Sequence, residues 1–201
     1  MTARRVRSGL AGAALLLGCA AAQAHLASTG LGPVYDGIWH LFVSFDDLLP
    51  VLAIALLAGL NGARAARWTL FVLPAAWWAG GAVGFHSGAV SVPAGITSPS
   101  LLLLGLLVAL DRRLGPSITA ALAVALGLLH GGLNGAGIAL AGREASGLVG
   151  MAGAIFVLAA LVSAAALSLR RPWTRIAVRV AGSWIAATGL LMLGWTLSGR
   201  A

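Results

Sequence analysis

The side chains able to do chemistry are few: four histidines, five acids and one cysteine among 201 residues. Two acids have a local explanation. Asp111 stands beside Arg112 and Arg113, and Glu144 beside Arg143, so both read as interfacial salt bridges. His25, Asp36, His40, Asp46, Asp47, His86 and His130 remain, in or next to long apolar runs. An ionisable group there is costly unless it faces a cavity or a partner. Imidazoles and carboxylates without a hydrolase motif point first to cation coordination.

The densest segment runs from Tyr35 to Pro50 and holds Asp36, His40, Asp46 and Asp47. On one continuous helix His40 and Asp47 would share a face but stand about 10.5 Å apart along the axis, too far for one ion. Pro50 offers a way out. Proline lacks an N–H and suits a first helical turn, so a helix starting at Leu48 with Asp47 as N-cap is expected. A break over Phe45 to Asp47 would then fold His40 back towards the two carboxylates. The plainer alternative is that Asp47, or Ser44 and Asp47 as a capping box, only caps the helix while His40 sits among headgroups.

A second candidate is His130 with Asn134, one helical turn apart and flanked by Gly131, Gly132, Gly135 and Gly137. The pair shares a helix face, and the glycines admit a close neighbour. A packing seam with one hydrogen-bonded histidine is the competing reading. His86, in Gly84-Phe85-His86-Ser87-Gly88, reads either as a ligand or as an interfacial residue. If His25 becomes the amino terminus, its α-amine and imidazole form a chelate suited to copper.

The elements that must position these groups follow from composition. The chain is 60% hydrophobic and 9% charged, with mean hydropathy +0.97, where a soluble domain carries about a quarter charged residues. The lipid bilayer is therefore its solvent. All 13 basic residues are arginine, against five acids, for a net charge of +8. They lie in short groups between apolar runs, as in membrane-protein loops, and no nucleic-acid motif accompanies them, so nucleic acid is excluded as a partner.

Residues 1–24 read as a signal peptide: Arg4, Arg5 and Arg7, an apolar stretch, then Ala22-Gln23-Ala24. Lipidation at Cys19 and an uncleaved leader are alternatives. Residues 25–201 then form one domain, an all-α polytopic bundle of six transmembrane helices, the first broken near Asp46 to Pro50. Arg64, Arg67, Arg112, Arg113, Arg170, Arg171, Arg175 and Arg179 fall on one side, and Arg143 and Arg200 on the other. The arginine-rich side is expected to be cytoplasmic, with both mature ends outside a bacterial inner membrane.

At the His40 and His130 segments the sequence resembles the HupE/UreJ family, small polytopic proteins tied to hydrogenase and urease gene clusters and regarded as nickel or cobalt permeases. Its members carry a histidine, five residues and Asp-His in the first span, and His-Gly with a further histidine and an acid in a later one. Here the first motif reads His40, five residues, Asp46-Asp47, and the second reads His130-Gly131 with Asn134 in place of the second histidine. Trading imidazole for carboxylate and amide moves a site towards harder ions.

The resemblance implies a secondary transporter of a divalent transition metal, nickel or cobalt before copper or zinc. Its ligands would be His40, Asp46 and Asp47 outside and His130 and Asn134 deeper, with His86 and His25 as further candidates. It also implies a metalloenzyme maturation partner. Two other classes compete: a membrane-embedded zinc hydrolase using His40, His86, His130 and a carboxylate, and a non-transporting accessory protein. The sequence holds neither His-Glu-x-x-His nor Gly-x-Ser-x-Gly, which favours a transporter over an enzyme.

Overall fold

A chain in a bilayer finds no water to satisfy its backbone, so a lipid-exposed spanning segment closes its own hydrogen bonds as a helix. The computed structural model describes residues 29–88, 95–169 and 171–198. The expected signal peptide and His25 lie outside the described residues. Among those residues all regular structure is helical: α1 Pro33–Val43, α2 Phe45–Leu60, α3 Ala63–Ser87, α4 Ser98–Ala109, α5 Pro116–Leu140, α6 Gly147–Leu167 and α7 Pro172–Leu197.

α3, α5, α6 and α7 are each long and apolar enough to cross a membrane, and α1 with α2 passes the same test as one span bent by 78°. α4 has 12 residues, about 18 Å of helix against a hydrocarbon core of about 30 Å. The six full-length spans expected from hydropathy thus resolve into four long helices, one bent pair and one short helix.

The bend in the first span falls earlier than expected. α2 starts at Phe45 rather than Leu48, with Ser44 as its N-cap. Ser44 N–H still donates to the His40 carbonyl, closing α1, while its own carbonyl accepts from Asp47 N and Leu48 N, opening α2. Asp46 and Asp47 therefore occupy the first turn of α2, where carboxylates oppose the positive helix end. Pro50 lies inside α2 and leaves the Asp46 carbonyl without its helical N–H partner.

Glycine sets how closely the helices approach. A Cβ on Gly131 would run into the Trp77 backbone carbonyl, and one on Gly135 into that of Gly81, so α3 and α5 touch backbone to backbone. Gly131→Ala should force these helices apart and lower stability by about 1–3 kcal/mol, as overpacking does. Gly137→Ala, with open space around its Cβ position, is the control. Thermal unfolding in detergent checks the pair; equal midpoints would show the seam to be loose.

α7 packs chiefly on α4. Gly105 lies against Ala186, and Gly182 against Val108 and Ala109. At the end of this pair Arg175 Nη2 donates to both oxygens of Asp111, at 2.7 and 2.6 Å, and Arg179 Nε to the Ala109 carbonyl at 2.9 Å. Asp111 is thus clamped to α7, not to its neighbours Arg112 and Arg113. Asn61 Oδ1 accepts from Leu114 N–H at 2.7 Å, which ties the end of α2 to the connection between α4 and α5. The arginines at the starts of α3 and α7 and after α4 therefore gather at one end of the bundle.

Candidate functional site

Asp47 projects from the first turn of α2 into the bundle and is only 5% exposed. Its Oδ1 accepts from His130 Nδ1 at 2.8 Å, and its Oδ2 from Asn134 Nδ2 at 2.9 Å. His130 has no exposed surface. Its Nε2 lies 2.9 Å from Ser100 Oγ, and Trp77 stacks on the ring with centroids 5.7 Å apart. Asn134 Nδ2 also reaches the His130 carbonyl at 2.9 Å, fixing the amide to the helix that carries it.

The depth of the cluster follows from α5. His130 lies about 15 Å along the helix from Leu140 and about 21 Å from Pro116, near the middle of a span. Ser100, which meets it, belongs to the first turn of α4, and Asp47 to the first turn of α2. Two helices therefore begin in mid-bundle beside one buried carboxylate and run to the arginine-rich end. Their positive N-terminal ends and His130 together offset the burial of the Asp47 charge.

The expected site residues are brought together only in part. Asp47, His130 and Asn134, drawn from two separate sequence candidates, come together. His40 stays on α1 and bonds Ser44 Oγ at 3.2 Å; no ion pair joins it to Asp46 or Asp47, so the return of His40 onto the carboxylates is replaced by a link through Ser44. Asp46 is half-buried and within electrostatic reach of His40, His130 and Asp47. His86 is exposed at the end of α3, its ring edge-on to Phe85 at 5.6 Å. Among the described residues no three histidine, cysteine or acidic side chains converge as a ready metal cage.

Ser100 and Trp77 were not singled out from the sequence. Ser100 lies in the first turn of α4, directly after Pro99, with nothing in its spacing to connect it to His130. Asp36 is also bound up: Oδ1 accepts from Thr29 N and Oγ1 at 2.6 and 2.7 Å, and Oδ2 from Arg143 Nη1 at 3.1 Å. Arg143 thus pairs with Asp36 and not with its neighbour Glu144, which accepts from Ser146 Oγ at 3.2 Å.

Both ring nitrogens of His130 and both oxygens of Asp47 are engaged in this state. A cation arriving at Asp47 would compete with His130 and Asn134 for the carboxylate. No curated protein and no solved structure matches the chain. A family model described as HupE / UreJ protein matches residues 13–192. The seven described helices and the mid-bundle Asp47 cluster are thus the architecture of a multi-pass membrane protein that belongs to the HupE/UreJ family.

Proposed function

We propose that this protein is a secondary permease for a divalent transition-metal ion, nickel or cobalt, in a bacterial inner membrane. The observation that carries the reading is the Asp47 carboxylate, buried where α2 and α4 begin in mid-bundle and held by His130 and Asn134. Substrate sites formed at broken helices near the bilayer midplane are a recurring plan of secondary transporters. His40 and Asp46, half-buried on the approach, receive the ion from outside. Asp47 then takes it as His130 and Asn134 yield.

The sequence carries no phosphate-binding loop. With the arginine-rich end in the cytoplasm, a divalent cation moving inward gains about 4.6 kcal/mol per 100 mV of inside-negative potential. That is enough to drive uptake without ATP. Among the alternatives, the zinc hydrolase finds no gathered ligand set among the described residues, and the accessory protein keeps its place as the outcome of a failed transport test.

The test is accumulation of radioactive nickel and cobalt in cells stripped of their own uptake systems. Cells producing the protein should accumulate at least one ion well above vector controls, and collapse of the membrane potential should abolish the difference. Accumulation equal to the control, with the protein present in the membrane, would remove the permease reading.

A further inference from the structure

Where α1 meets the connection between α5 and α6, the bundle encloses a half-open cavity of about 240 Å³. By the share of liquid volume each water takes, it holds roughly eight waters, room for a small molecule but not for a peptide. Pro33, Gly37, Ile138 and Met151 supply apolar wall, and Asp36, Arg143 and Glu144 supply charge of both signs.

These charged groups are unequally committed. Both Asp36 oxygens are occupied, by Thr29 and Arg143. Arg143 spends only Nη1 on that pair, and among the described residues its Nε and Nη2 have no partner. Glu144 is exposed and uses only Oε2, on Ser146. The rim thus offers a planar donor set for an oxyanion beside an unpaired carboxylate oxygen for an ammonium group. A bare metal ion would meet the Arg143 charge and no convergent donors.

We propose that this cavity binds a small zwitterion, with its oxyanion on Arg143 and its ammonium group on Glu144. The same chemistry has two sources: a free amino acid, or the ethanolamine phosphate headgroup of a lipid. The site is separate from the Asp47 cluster and does not depend on transport.

Binding is measured by calorimetry on the purified full chain in detergent, without metal, using glycine and phosphoethanolamine. At least one should bind, with acetate and ethylammonium, which each carry only one of the two charges, weaker by about tenfold or more. Arg143→Gln and Glu144→Gln should each cost about tenfold in affinity. Because Glu144→Gln leaves the Asp36–Arg143 pair intact, its result stands even if Arg143→Gln loosens α1. Preference for glycine identifies the free amino acid, and preference for phosphoethanolamine the headgroup. Absence of binding by both at millimolar concentration, or an affinity unchanged by Glu144→Gln, overturns the proposal.

Discussion

Asp47→Ala should remove metal accumulation and most of the folded protein together. The substitution leaves His130 fully buried with Nδ1 facing no acceptor, and breaking a buried pair from one side costs about 3–5 kcal/mol. Set against a typical stability of about 5–15 kcal/mol, that loss is large enough to be read as reduced membrane abundance on an immunoblot. Asp47→Asn separates the two roles. An amide oxygen can still accept from His130 Nδ1, while its nitrogen faces the Asn134 amide, so this variant should fold better than Asp47→Ala yet accumulate no metal. Full abundance of Asp47→Ala would show that the buried pair carries little stability; wild-type accumulation by Asp47→Asn would sink the role of the charge in transport.

The second large effect is expected at the neighbouring position and has the opposite profile. Asp46 is half-buried and, among the described residues, no hydrogen bond joins its side chain to another residue, so its structural contribution is mainly its place in the first turn of α2, worth about 0.3–1 kcal/mol. Asp46→Ala should therefore reach the membrane in nearly wild-type amount. Accumulation of nickel and cobalt should nevertheless disappear, because His40 alone would then face the incoming ion and imidazole carries no negative charge. The measurement is uptake normalised to membrane abundance. Retained uptake would take Asp46 off the route and leave Asp47 as the sole carboxylate of the site.

Much of the site could be read along the chain. Pro50 and the adjacent acids signalled a break in the first span, and the one-turn spacing of His130 and Asn134 put them on a single face. The break itself fell at Ser44, because a serine carbonyl free to accept from Asp47 N and Leu48 N starts the helix a turn before the proline. The neighbour rule failed for charge pairs: Asp111 reaches Arg175, and Arg143 reaches Asp36. Adjacent residues on a turn diverge, while helix ends packed side by side bring distant residues within bonding range.

The solvent, the helical class and the division into apolar runs are legible in residue order, since hydropathy and backbone satisfaction act locally and every residue contributes to them. Residue order also supplies the few groups that lipid cannot tolerate unpaired. Which of those groups meet depends on helix packing. The Asp47–His130 bond spans 83 positions, and Ser100 joins His130 across 30. These encounters depend on how near the helices come, which glycine seams such as Gly131 on Trp77 fix by letting backbones touch, and on the depth at which α2 and α4 begin. Neither quantity is a property of any one segment, so the central carboxylate emerged only when the helices were packed.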